Sequence, residues 1–356
     1  MKQATQQFRT ERDPMGELKV PADVLYGVQT QRALENFQIS RLRITPSLIT
    51  AYAAIKKAAA WANVQVGKLD PKIGEVIMRA ADEVMAGRHQ EDFKLDVFQA
   101  GAGTSYNMNI NEVIANRALE LMGHQRGDYN RIHPNDHVNK AQSTNDTMPT
   151  AMRVATLKLL PEMFLAMEAL INAFSEKANE FANVTKSGRT HLHDATQMTL
   201  GQEFNGYALN LRRAMNRIRT VQDLLYEVPL GGTAIGSGIN THPDYARLAV
   251  TKLSEITRLK LREAQDRFQS QQSLGDFLAL SGTLRGFAVE LSKIANDLRL
   301  LNSGPHTGLA EIELPAVQPG SSIMPGKYNP GVAEMTNMVC FHIIGHDTAM
   351  TFAAEA

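Results

Sequence analysis

The stretch Leu274-Gly-Asp-Phe-Leu-Ala-Leu-Ser-Gly-Thr-Leu-Arg-Gly-Phe-Ala-Val-Glu-Leu-Ser-Lys-Ile-Ala-Asn-Asp-Leu-Arg-Leu-Leu301 decides the fold. Leu274, Phe277, Leu280, Leu284, Phe287, Leu291, Ile294, Leu298 and Leu301 recur in it at steps of three and four. Such steps draw one apolar stripe along a helix and leave the charged and amide residues on the other face. Two more segments repeat the pattern. One runs through Val154, Leu157, Leu160, Phe164, Met167, Leu170, Phe174, Ala178 and Phe181; the other through Leu200, Phe204, Tyr207, Leu211, Met215, Ile218, Val221 and Leu225. Each is much longer than an ordinary globular helix, which predicts rods packed at shallow angles into a bundle. Pro161 lies inside the first rod and is expected to kink it.

Upstream, Ile44–Val66 and Pro71–Met85 read as shorter Ala-rich helices, with Pro71 suited to a first turn, and Asn107–Met122 reads as another. Strand signals are few and short, and no alternation of strand and helix occurs. The fold class is therefore mostly α: a long-helix bundle core with a smaller N-terminal helical domain. The chain's 356 residues carry 37 Lys+Arg against 37 Asp+Glu, so no basic footprint points to nucleic acid or an anionic membrane. A single cysteine, Cys340, excludes an internal disulfide framework and fits a reducing compartment. Met1–Pro14 is polar with no signal-peptide core, and no apolar run is long enough to span a bilayer. A cytoplasmic protein without nucleic-acid or membrane partners is expected.

Five segments between the rods are rich in Gly, Ser, Thr, Asn and Asp: Gly101–Ser105, His133–Asp146, Ser187–Asp194, Gly231–Gly238 and Gly320–Pro330. Any one of them reads as ordinary turn chemistry, but five at the ends of rigid rods are where sites sit. A small dicarboxylate would need two negative charges neutralised by donors of fixed geometry. Thr104, Ser143, Thr144 and Asn145 would supply neutral donors; Thr190, His191, Lys327 and Asn329 a mixed neutral and cationic set. Arg189 could instead pair with an acid. In Gly320-Ser-Ser-Ile-Met-Pro-Gly-Lys-Tyr-Asn-Pro330, Ser321, Ser322 and Lys327 lie between glycines suited to a mobile lid. A serine acts as a base only where preorganised N–H groups and a cation stabilise its oxyanion. The segment is not a phosphate-binding G-x-x-x-x-G-K-S/T loop, since Tyr328 follows Lys327, and no G-x-S-x-G nucleophile turn occurs. His133/His137 and His191/His193 have metal-site spacings, but Pro134 interrupts the first pair and the second opens onto a long helix, so no metal is expected. Asp136 and Asp146 are expected to cap helices or fix loops.

Taken together, Gly320–Pro330, His133-Pro-Asn-Asp-His-Val-Asn139, Gly188-Arg-Thr-His-Leu192, Leu230-Gly-Gly-Thr-Ala234 and Pro21-Ala-Asp-Val-Leu-Tyr-Gly-Val-Gln-Thr30 resemble, in order and spacing, the signatures of the fumarase/aspartase superfamily of lyases. The resemblance implies a homotetramer with a central helical bundle and active sites each built from three subunits. It also implies elimination through an aci-carboxylate without metal or organic cofactor. By motif position, Ser321 would be the general base, with His191 and Lys327 in the catalytic set. Thr104, Ser143, Thr144 and Ser322 would hold the β-carboxylate; Thr190, His191, Lys327 and Asn329 the α-carboxylate. Asn145 and His191 would lie near a leaving amine. Ser143-Thr144, Tyr26–Thr30 and Met338-Val-Cys-Phe341 resemble the branch that releases ammonia from L-aspartate to give fumarate. Met148-Pro-Thr-Ala-Met152 instead resembles the branch that hydrates fumarate to L-malate.

The resemblance divides the chain into an N-terminal lyase domain, 1–142, and an incomplete central bundle, 143–356, with the family's C-terminal domain absent. Because the last helical pattern stops at Ala356, the expectation is a chain of low stability or activity on its own. Ala141, His193, Gln197, His306 and Tyr328 depart from the family pattern, and Tyr328 puts a bulky ring in the expected lid. A helical assembly protein without turnover is the competing reading from another class, opposed by Ser321, Lys327, Asn329, His191 and Thr190, which packing does not require.

Overall fold

The computed structural model describes residues 7–356, so Met1–Gln6 of the polar N-terminal stretch lie outside the described residues. Strands β1 (Phe8–Asp13) and β2 (Gly16–Pro21) form an antiparallel hairpin, followed by helices α1 (Val28–Asn36), α2 (Pro46–Gln65), α3 (Pro71–Met85) and α4 (Thr104–Leu121). A π-helical turn, Pro134–Val138, precedes α5 (Thr144–Glu180), a second antiparallel hairpin, β3 (Thr185–Thr190) and β4 (His193–Thr199), and α6 (Leu200–Gln222). Then come β5 (Glu227–Val228), α7 (Tyr245–Thr257), β6 (Arg262–Glu263) parallel to β5, α8 (Arg267–Gln272), α9 (Gly275–Leu301) and α10 (Gly331–Glu355). The protein is mostly α, as the three-and-four spacing dictates.

Two compact units divide these elements. The first holds the residues up to Leu159 together with Leu225–Ser273, and its centre is α2, packed against α3, α4 and α7. Helix α2 suits that place because Ala51, Ala53, Ala54, Ala58, Ala59, Ala60 and Ala62 are all buried, and small side chains let neighbouring helices approach. Pro46 at its first turn and Pro71 in α3 cost no intrahelical donor, and the Asp70 carboxylate caps α3 by accepting from Lys72 and Ile73 N–H.

The second unit holds Leu160–Leu224 and Leu274–Ala356. Its α9 packs against α6 and α10, and α5 joins α6 through Phe174, Phe181, Phe204 and Tyr207, whose rings meet at 5.3–5.9 Å between centroids. The predicted stripe of α9 is buried at Phe277, Leu280, Ile294 and Leu301 but only half-buried at Leu284, Phe287, Leu291 and Leu298. Along α10, Met338 and Phe341 stay 63% and 60% exposed. Among the described residues no helix is long and apolar enough to cross a membrane.

Several boundaries differ from the sequence reading. Helix α5 begins at Thr144, before the first apolar mark at Val154, because buried Asp146, Thr147 and Thr150 replace apolar residues in its opening turns. Pro161 lies within α5 without interrupting it. Helix α4 opens at Thr104, immediately after Gly103 in the left-handed region, so Thr104 and Ser105 are helical rather than loop. Ser187–Asp194 is a hairpin tip rather than a loop: His191 and Leu192, both at positive φ, make its two-residue turn.

Candidate active site

In the first unit, the predicted donors gather around the first turn of α5. Ser143 is its N-cap: the hydroxyl accepts from Asn145 N–H at 3.2 Å, while Asp146 Oδ1 accepts from Ser143 N–H at 2.9 Å. The Ser143 hydroxyl thus caps the N2 donor, and Asp146 at N3 reaches back to the N-cap backbone as in a capping box. Asp146 Oδ2 also accepts from Gly231 N–H at 3.0 Å and Thr233 N–H at 3.1 Å, and Asn145 Nδ2 donates to Ala234 O at 2.8 Å. Two of the polar segments are thereby pinned to one helix end. Gly231 sits at φ +96°, and a Cβ there would come within 2.4 Å of Ala246 Cβ, so no larger residue fits. Burial pushes the Asp146 carboxyl up to about 6, opposed by its three backbone donors and the charge of Lys56. Thr144 is buried beside this knot, Ser143 is half-buried, and Asn145 and Thr104 are exposed.

Behind the knot lies Lys56 of α2, which the sequence reading passed over. Its ammonium is fully inaccessible and donates to Asn107 Oδ1 at 2.7 Å, Asn139 Oδ1 at 2.9 Å and Gln142 Oε1 at 2.9 Å. The signal was present: Ile49, Tyr52, Lys56, Ala59 and Asn63 recur at steps of three and four, placing a lysine on the buried stripe of an Ala-rich helix.

The His133/His137 pair has local structural partners. His133, not Asp136, caps the π-helical turn: its Nδ1 accepts from Asn135 and Asp136 N–H, while Asp136 itself stays exposed. The expectation that Asp136 caps is corrected, because His133 occupies the N-cap position. His137 Nδ1 accepts from His133 N–H at 2.8 Å, and burial with the Lys140 charge lowers its pKa. Among the described residues no three His, Cys, Asp or Glu side chains are placed to hold a metal ion.

In the second unit, Thr190 ends β3 and His191 opens the hairpin turn, so both project from one exposed tip. The tip is held from below by charge. Lys186 pairs with Glu203 and, at 2.7 Å, with Glu311; Arg189 pairs with Glu311 and approaches Asp194 at 3.6 Å. Arg189 thus takes the structural acid partner expected for it. A Cβ on Gly188 would stand 2.9 Å from Thr196 O, which explains a glycine at the bulge in this hairpin.

The remaining candidates share the loop before α10. Ser321 Oγ accepts from Met324 N–H at 2.9 Å and, more weakly, from Ile323 N–H at 3.4 Å. Lys327 Nζ donates to Asn329 Oδ1 at 2.7 Å, and Asn329 Nδ2 closes the loop on Gly320 O at 2.8 Å. A Cβ on Gly320 would meet Asn329 N at 2.5 Å, so this closure requires the glycine. Ser322 and Tyr328 are exposed. The predicted residues therefore fall into two sets, one in each unit. Thr104 and Ser143–Asn145 rest on a buried scaffold; Thr190, His191, Ser321, Ser322, Lys327 and Asn329 stand on protruding segments.

A family model described as lyase matches residues 16–345, nearly the whole chain. The chain belongs to the fumarase/aspartase superfamily of lyases. Within that superfamily it is 50% identical over 350 residues to the aspartate ammonia-lyase of Helicobacter pylori, covering 98% of this chain and 75% of that enzyme. The solved fumarate lyase:delta crystallin of Brucella melitensis bound to cobalt is 51% identical with a TM-score of 0.96, covering 98% of this chain and 76% of that one. The class II fumarase of Schistosoma mansoni shares the fold at a TM-score of 0.94 but only 36% identity, over 98% of this chain and 77% of that one. The identity to this aspartate ammonia-lyase exceeds that to the fumarase, in line with what Ser143-Thr144 and Met338–Phe341 imply.

Proposed function

We propose that the chain is an aspartate ammonia-lyase, a carbon–nitrogen lyase that reversibly converts L-aspartate to fumarate and ammonia. The observation that carries the mechanism is the pair of backbone N–H groups, from Met324 and Ile323, aimed at Ser321 Oγ. Preorganised donors of this kind lower the cost of ionising the hydroxyl, so that Ser321 is available as the alkoxide that takes the C3 proton of aspartate. The C–H electrons move into the β-carboxylate and form the aci-carboxylate. Their return forms the C2–C3 double bond, and the C2–N bonding pair leaves with ammonia. Thr104, Ser143, Thr144 and Ser322 bind the β-carboxylate, where negative charge accumulates, so their donors favour the transition state over bound aspartate. Thr190, His191, Lys327 and Asn329 hold the α-carboxylate, and Asn145 with His191 faces the leaving amine.

The setting we infer is a cytoplasmic homotetramer that uses no cofactor and takes residues for each active site from three copies, as the family resemblance implies. The apolar side chains left exposed on α10, including Val332, Met335, Met338, Val339 and Phe341, support association with further copies. The division into domains at 142/143 is proposed on the same resemblance. Fumarate hydration is the second reading, favoured by Met148–Met152.

Ser321→Ala tests the mechanism. With aspartate as substrate and fumarate absorbance as readout, turnover falls about 10²- to 10⁴-fold, the worth of a positioned base, while the melting temperature stays put. Undiminished turnover would remove Ser321 from the base role.

A further inference from the structure

Burying a charge is costly unless it is fully hydrogen-bonded, and a methionine would fill the same volume without that cost. Lys56 nevertheless sits at zero exposure in the middle of α2, and no carboxylate is in direct contact with it among the ion pairs of the described residues. Its three N–H bonds go to three side-chain carbonyls, which accounts for every donor of an ammonium. Those acceptors come from three places in the chain. Asn107 lies one turn into α4, three residues after Thr104. Asn139 follows the π-helical turn, and Gln142 immediately precedes Ser143.

The contacts around this tripod extend it toward the proposed carboxylate donors. Thr147 Oγ1 donates to Ser143 O at 2.8 Å and reaches Asn107 Oδ1 at 3.3 Å. Asn139 Nδ2 donates to Gln142 O at 3.3 Å, and Gln142 Nε2 returns to Val138 O at 3.0 Å. Two turns further along α2, Asn63 Nδ2 grips Lys140 O at 3.0 Å. The backbone on both sides of Ala141, itself at φ +62°, is thus tied to one face of α2.

We propose that Lys56 is a positioning residue for the β-carboxylate pocket: its ammonium fixes the start of α4, which carries Thr104, relative to the Ser143–Asn145 turn. The proposal rests on the assignment of those residues to substrate binding. It assigns Lys56 no contact with substrate. Its effect is felt through Gln142 and Asn107, and a loosened pocket loses affinity for a dicarboxylate as well as rate.

The experiment compares wild type with Lys56→Met, Gln142→Leu and Thr144→Val. For each, kcat and KM are measured for aspartate, together with the inhibition constant of succinate, a non-reacting dicarboxylate. A purely structural role lowers the active fraction and hence kcat alone. Positioning raises KM and the succinate constant together, by about tenfold or more in Lys56→Met and by about threefold in Gln142→Leu, in protein that remains folded by circular dichroism. If Lys56→Met does not fold, Gln142→Leu, which keeps the lysine, decides. Unchanged succinate binding in the folded Lys56 and Gln142 variants, with weakened binding in Thr144→Val, overturns the Lys56 proposal alone. Unchanged binding in Thr144→Val as well overturns the pocket assignment on which it rests.

Discussion

The two units bury different things. The first hides Lys56, Asn63, Asn107, Asn109, Asn111, Glu112, Asn116, Asp146 and Arg153 at 2% exposure or less, and its candidate donors Ser143, Thr144 and Asn145 rest on that polar interior. The second buries Ser281, Ser292, Asn337 and Asp347 but leaves apolar α10 residues and its candidate catalytic groups outside. Buried polar groups rigidify their surroundings where they are satisfied, as the Lys56 ammonium and the Asp146 carboxylate are, and those two clusters hold the Ser143–Asn145 turn within one chain. The second unit carries its groups on a hairpin tip and a glycine-bounded loop, where movement during turnover is tolerated. On the proposed assignment the contrast is a division of labour: fixed donors for one carboxylate, adaptable groups for proton removal and the other.

The largest way to break that contrast is Asp146→Ala. It leaves the N–H groups of Ser143, Gly231 and Thr233 without their acceptor inside the first unit, at a cost of about 3–5 kcal/mol, read by chemical denaturation. In the second unit, Met338→Glu with Phe341→Lys places charge on the exposed face of α10. The proposed tetramer gives way to smaller species in light scattering, with the helical circular dichroism retained.

Glycines sharpen the contrast on a finer scale. Gly231→Ala forces a Cβ into Ala246 and a residue into φ +96°, costing about 1–3 kcal/mol in a thermal melt. Gly326→Ala in the exposed loop has positive φ but open space around it and costs about 1 kcal/mol. The smallest effect is confined to acid. The Arg117 guanidinium, helped by His89, holds Glu83 down to about 2. A depressed carboxyl contributes stability above its unfolded pKa near 4.5 and loses it as pH falls toward 2. Glu83→Gln therefore flattens the stability profile between about pH 4.5 and 2 and leaves its shape near neutrality unchanged.

The long helices were legible because α5, α6 and α9 repeat a three-and-four pattern over many turns, and Gly320–Pro330 was legible because its residue types are not those of packing. Of the shorter elements, α2, α3 and α4 were legible as Ala-rich helical stretches, but others were not. Helix α7 lacks a long stripe, and the β3–β4 hairpin depends on a turn through His191-Leu192, residues that give no turn signal in sequence. Lys56 is less legible because a lysine in a helix usually reads as surface: the stripe through Ile49, Tyr52 and Ala59 points to its burial, but its partners lie 51 to 86 residues away.

Incubating the protein with fumarate, with and without ammonia, and identifying the product by proton NMR tests the central claim most directly. Aspartate forms when ammonia is present, and fumarate persists when it is absent. Malate formed without ammonia would contradict the assignment in favour of hydration, and a folded chain that yields neither product would contradict the lyase activity itself.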